Sequence, residues 1–198
     1  MVLCGGAKSE ERYGDDRLCH ADIARWLYRR PERRHRTAGQ EELHQHFNDE
    51  MRRTSIALCG RRMYETMRFW DSPEREIAAE EVERDFAHAW RETPKIVFST
   101  TLQEVGPNAR LVKEHAEAVA RSLKADTDGE ISVSGAELAG HLARAGLIDE
   151  YRLYMHPIVL GGGKPYFQSG LSLALKPLGT ERLAQGVTLL RYAPIEID

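Results

Sequence analysis

The stretch Gly146-Leu147-Ile148-Asp149-Glu150-Tyr151-Arg152-Leu153 is followed, after Tyr154-Met155, by His156-Pro157-Ile158-Val159-Leu160-Gly161-Gly162-Gly163-Lys164-Pro165. It contains a helix end, a strand and a glycine-rich loop in succession. Gly146 closes a helix predicted over Ala136–Ala145, the place where a chain turns left-handed to stop helical winding. Tyr151–Met155 reads as a strand. The triple glycine invites a phosphate-loop reading that the neighbouring residues exclude. Such a loop needs a hydroxyl residue after its lysine and a glycine five residues before its second one. Here Pro165 follows Lys164 and Ile158 holds the glycine's place. A mobile loop near a substrate and a plain connection to the last strands both remain open readings.

Working upstream, Glu130–Gly135 alternates like a strand and feeds directly into the Ala136 helix. Leu111–Leu123 is weakly amphipathic and predicted helical. Pro94–Ser99 is a breaker followed by a β-branched and aromatic strand. Glu80–Arg91 and Arg61–Trp70 carry apolar residues at helical spacing, as does Gln40–Arg53 with Leu43, His44, Phe47 and Met51. Thr54–Cys59 is a short apolar run ending at Gly60. Downstream, Leu171–Leu178 and Val187–Tyr192 form a final antiparallel pair. Helices alternating with strands predict an α/β fold, with a mostly parallel central sheet covered on both faces and antiparallel strands at its C-terminal end. The rhythm covers residues 38–198; residues 1–37 form an atypical basic segment outside it.

The bulk numbers fit one soluble domain. With 41% hydrophobic and 30% charged residues, the 198-residue chain can build a core. A net charge of −3 argues against wholesale nucleic-acid binding. No apolar run approaches the roughly 20 residues that span a bilayer, and Met1–Asp16 lacks the apolar core of a signal peptide. Cys4, Cys19 and Cys59 are an odd, scattered set, unsuited to a disulfide framework and suited to a reducing compartment. Cys4 with Cys19-His20 offers no fourth ligand at zinc-finger spacing, so no metal is expected. The expected location is cytoplasmic.

In open parallel sheets, ligands bind beyond the carboxyl ends of the strands, which singles out three junctions. Gly60-Arg61-Arg62 places a helix start beside two guanidiniums, suitable for a phosphate and equally readable as a glycine turn with two solvated arginines. Ser99-Thr100-Thr101 supplies hydroxyls for a phosphate or for capping the next turn. Ser134-Gly135-Ala136 lets either a ligand or a packed helix approach the backbone. Three such signals on successive strand ends favour a nucleotide cofactor.

The opening stretch, with Gly60-Arg61-Arg62-Met63-Tyr64-Glu65 and Pro94–Ser99, resembles the C-terminal reductase domain of the bifunctional riboflavin-biosynthesis deaminase/reductase, a relative of dihydrofolate reductase. The resemblance covers roughly Glu41–Tyr192. It implies a three-layer dihydrofolate-reductase-like fold, an NADPH cofactor, hydride transfer to a small-molecule substrate such as a ribosylaminouracil phosphate, and often a homodimer. By position, Gly60, Arg61 and Arg62 would face the cofactor's phosphates. Ser99 and Thr100 would lie by the adenosine phosphate, and Gly135, Ala136 and Glu137 by the pyrophosphate and nicotinamide. Met63 stands where the family usually has a phosphate-binding threonine, and Ser134 replaces the first of two glycines; both departures weaken the expected grip. The deaminase's zinc signature is absent, and no general acid is identified. An NADPH-binding protein of the same fold without competent catalysis is the alternative.

Family members begin with an apolar strand leading into a segment like S-L-D-G-Y-I-A. Here Arg25–Arg36 stands instead, readable as a nucleic-acid arm with Trp26 and Tyr28, or as a solvated tail. Read one base later with permitted third bases, the codons for Asp22–Arg36 can spell T-S-L-D-G-Y-I-A-A-P-N-G-D-I-E. The expectation is that residues before about Thr37 are translated out of frame, leaving a poorly stable chain.

Overall fold

A computed structural model describes residues 2–5, 38–73, 80–159 and 165–195 of the chain. The Arg25–Arg36 block and the Gly161–Lys164 loop lie outside the described residues. The elements run β1 (Val2–Gly5), α1 (Ala38–Arg53), β2 (Thr54–Gly60), α2 (Arg61–Met67) continued by a 3-10 turn (Arg68–Asp71), α3 (Glu81–Glu92), β3 (Lys95–Phe98), β4 (Ala109–Val112), α4 (Ala116–Asp126), β5 (Gly129–Ser134), α5 (Ala136–Arg144), β6 (Tyr151–Met155), β7 (Ala174–Arg182) and β8 (Thr188–Ile195). One sheet has the order β1-β5-β2-β3-β4, the other β6-β8-β7. Strands β5, β2, β3 and β4 are mutually parallel, and β6, β7 and β8 pair antiparallel. This is the α/β architecture the alternation predicted.

Successive residues of the parallel strands enter opposite cores, because side chains alternate faces along a strand. Ala57 and Cys59 of β2, with Val97 of β3, join one cluster with Leu43, Phe47, Tyr64, Trp70, Phe86 and Trp90 from the first three helices. Leu58 and Ile96 join the other, with Ile131 and Val133 of β5 and Leu138 and Leu142 of α5. A sheet buried on both faces explains why Thr54–Cys59 reads as a continuous apolar run. Lys95 opens β3 yet is 2% exposed. Its ammonium donates to the carbonyls of Trp90 and Thr93 at the end of α3 and lies 4.5 Å from the centre of the Trp90 ring. A cation placed on a helix C-terminus and an aromatic face is a way to bury a lysine.

Three expectations need correction. Ala109–Val112 is a strand paired with β3, and the helix that follows starts only at Ala116. Leu111 and Val112 fall in phase with Ala116 and Val119, so periodicity alone merged them. Tyr151–Met155 is a strand as expected but pairs only with β8, outside the parallel sheet. Within the basic N-terminal segment, Val2–Gly5 is an antiparallel strand on β5, where no element was expected.

Candidate active site

The strand register puts the three junctions level with one another. Gly60 lies opposite Phe98 on one side, and Cys59 lies opposite Ser134 on the other. The residues that follow (Arg61-Arg62, Ser99-Thr100 and Gly135-Ala136-Glu137) therefore leave the same edge of the sheet, with β2 in the middle.

Gly60 and Gly135 are packed backbone to backbone. A Cβ on Gly135 would come within 3.3 Å of both the Cα and the nitrogen of Gly60, and Gly135 has φ +104, a conformation that L side chains rarely adopt. Both residues cap helices, Gly60 for α2 and Gly135 for α5, and neither cap offers a side-chain hydrogen bond. Two helix starts thus lie side by side at this edge of the sheet with their first amides uncapped by side chains.

Around the two glycines the polar groups differ in availability. Arg61 is half-exposed and paired with Glu65 at 3.2 Å. Arg62 is exposed, and its guanidinium has no side-chain partner among the described residues. Ser99 is committed locally: its hydroxyl oxygen accepts from the Leu102 amide at 3.0 Å and the Thr101 amide at 3.2 Å. That is the capping use, and it leaves Thr100 as the exposed hydroxyl of the pair. Glu137 is exposed on the first turn of α5. Met63 is buried, 3.8 Å from where a Cβ on Gly135 would sit, so it contributes shape and no phosphate donor. Cys59 is buried and accepts from the Ser134 hydroxyl at 3.6 Å; burial pushes its thiol up to about 11. Among the described residues no group of His, Cys, Asp or Glu could hold a metal ion.

Sequence reasoning missed a second polar cluster, at the opposite ends of the strands. Arg152 is almost wholly buried and donates to Glu50 at 2.8 Å and to Glu150 at 3.0 Å, with Glu130 at 3.8 Å. Arg191 also donates to Glu150, at 2.8 Å. Arg53 pairs with Glu50 from the helix surface, and Tyr154 donates to Glu50 at 3.0 Å. His46 meets the Tyr154 hydroxyl at 3.2 Å. Burial, then the nearby Arg53 and Arg152 charges, lower the His46 ring to about 4. Asp149 accepts from Lys124 at 2.6 Å. Asp149 and Glu150 are therefore engaged in salt bridges away from the Gly60–Gly135 contact. The charged residues forming this cluster sit among apolar positions, a signal that the helical and strand patterns carried without naming partners.

A parallel α/β sheet with glycine-capped helix starts side by side at its strand ends defines the class. A family model described as the RibD C-terminal domain matches residues 29–189, and the chain belongs to that family. It is similar to the uncharacterized protein YyaP of Bacillus subtilis (strain 168), 28% identical over 148 residues, which span 74% of this chain and 77% of that protein. Among solved structures it resembles a putative riboflavin biosynthesis protein from Shewanella sp. PV-4. The TM-score there is 0.60 at 22% identity, covering 87% of this chain and 88% of that one. It also resembles Acinetobacter baumannii RibD, with a TM-score of 0.51 at 14% identity over 81% of this chain and 51% of the other. No helix among the described residues is long and apolar enough to cross a membrane.

Proposed function

We propose that the protein is an NADPH-dependent reductase of the dihydrofolate-reductase-like type, resembling 5-amino-6-(5-phosphoribosylamino)uracil reductase of riboflavin biosynthesis. The observation that carries this reading is the contact between Gly60 and Gly135, which sets two helix starts without side-chain caps next to one another at the strand ends. A Cβ at Gly135 would crowd the Gly60 backbone, so glycine is what lets the two helix starts come this close, and adjacent helix starts beside Arg61 and Arg62 fit a phosphate-bearing cofactor. The backbone at Gly60 and Gly135, with Arg61 and Arg62, would hold the phosphates. Thr100, and Ser99 through the turn it stabilises, would lie by the adenosine phosphate, and Ala136 and Glu137 by the pyrophosphate and nicotinamide. NADPH, when bound, supplies the hydride; the chain's contribution is to bind it and orient it. A fluorescence titration tests the binding. Saturable quenching or enhancement with NADPH is expected, and its absence in folded protein defeats the reading. Oxidation of NADPH with a ribosylaminouracil phosphate or a pteridine tests the chemistry.

A second reading, an NADPH-binding protein of the same fold with impaired catalysis, is favoured by two observations. Met63 offers no donor beside Gly135, and the five-stranded sheet ends at β5 in an antiparallel β1 while β6 stands in a separate sheet. With it goes the proposal that residues before about Thr37 are out of frame. Binding without turnover by the chain as written, and turnover once the frame is restored, is the expected pair of results. Clean gene sequence with no plausible shifted reading refutes it.

A further inference from the structure

Arg61 and Arg62 stand side by side at the start of α2, yet they differ in what already holds them. Nη1 of Arg61 donates to both carboxylate oxygens of Glu65, at 3.2 and 3.4 Å. Glu65 lies about one turn further along the helix, and each side chain of the pair is 41% exposed. Arg62 is exposed and has no side-chain partner among the described residues. The inward face of α2 is apolar, with Met63, Tyr64 and Met67 buried, so the arginines share its outer side with Glu65. Arg68, beyond Glu65, has its guanidinium 5.9 Å from the centre of the Tyr64 ring. From Gly60 to Trp70 the sequence carries three arginines and this single carboxylate. The carboxylate is given to the arginine nearest Gly60.

We propose that Glu65 is an internal counter-ion: it holds Arg61 in the empty protein and gives it up when a phosphate-bearing ligand arrives. This depends on the reading that NADPH is bound with its phosphates beside Arg61 and Arg62. A phosphate engages a guanidinium best through two parallel N–H bonds, and Nη1 of Arg61 already faces a carboxylate. A second anion brought to that edge is repelled by the first. Part of the interaction with phosphate therefore goes into separating Arg61 from Glu65. The observed affinity is reduced by the fraction of molecules in which Arg61 is available. An exposed pair at this spacing is weak, which is what an exchangeable partner requires. The two arginines thus differ in role. Arg62 meets the phosphate directly, and Arg61 joins by changing partners.

The test is a double-mutant cycle on the full chain. Wild type, Glu65→Gln, Arg61→Ala and the double variant are titrated with NADPH at low and high salt, alongside thermal unfolding. Glu65→Gln keeps the shape of the side chain and removes its charge. It is expected to lower the NADPH dissociation constant about twofold at low salt, the worth of one exposed i,i+4 ion pair, and by less at high salt. On the Arg61→Ala background the same substitution should leave the constant nearly unchanged. An equal gain on both backgrounds means that Glu65 only repels the ligand from a distance, and it overturns the proposal. No change or a loss of affinity in Glu65→Gln overturns it too, since the carboxylate would then not compete for Arg61. A folded wild-type protein that binds no NADPH brings down the functional reading itself, and this inference with it.

Discussion

The two ends of the same strands are built in opposite ways. Where β5 and β6 begin, long charged side chains meet in the interior, with Arg152 between Glu50 and Glu150 and beside Glu130. Where β2 and β5 finish, side chains are withdrawn, and Gly60 and Gly135 touch through their backbones. The first end is sealed by charges that satisfy one another, which holds only while each has its partner. The second is left open, and its polar capacity lies in backbone amides and in arginines at the rim.

The most severe way to break this contrast is to remove Arg152. Arg152→Met leaves Glu50 and Glu150 buried and short of a cation, and a loss of about 3–5 kcal/mol is expected. A denaturant melt reads it, and a midpoint unchanged from wild type would show that the cluster does not hold the strand starts. At the open end, Gly135→Ala forces a side chain into a positive-φ position against Gly60 and should cost about 1–2 kcal/mol. Its signature is disproportion: NADPH affinity should fall at least tenfold while the melting curve stays cooperative. Full affinity in this variant would mean that the cofactor lies elsewhere. Arg62→Ala sharpens the comparison from the other side. Arg62 is exposed and without a side-chain partner among the described residues, so its removal should leave stability unchanged, whereas affinity for NADPH drops about tenfold at low salt and less at high salt, as expected for a charge-assisted contact to phosphate.

The last effect concerns pH. The folded His46 ring is lowered to about 4, below its ordinary 6.5, so the folded protein favours the neutral form. Its contribution to stability is complete above pH 6.5 and is lost as the pH falls toward 4. His46→Gln should therefore lose less stability than wild type between those values in matched melts. Parallel curves would remove His46 from the cluster's electrostatics.

Local pattern served well where one face decides burial. The helix from Gln40 was expected with Leu43, Phe47 and Met51 inward, and all three are core. The strand Tyr151–Met155 has the bounds it was given. The glycine at 146 does end its helix region with positive φ. Pattern failed where two periods coincide, as at Leu111-Val112, because the choice between strand and helix there depended on β3 offering a free edge. It also failed for polar groups. The helical spacing placed Tyr64 on an apolar face, but could not show that its hydroxyl reaches Gly106, and it left Glu50 as one acidic residue among several.

By itself, then, the sequence determined which segments could be helix or strand, the α/β alternation, and the three glycine- or hydroxyl-bearing junctions worth inspecting. These follow from forces acting within a few residues: side-chain periodicity, backbone freedom at glycine and capping chemistry. Only the tertiary structure decided that Gly60 and Gly135 meet, that β6 joins β8, and that Arg152 finds Glu50 a hundred residues away. Those contacts depend on register and on which buried charges must be matched, and both are properties of the packed whole.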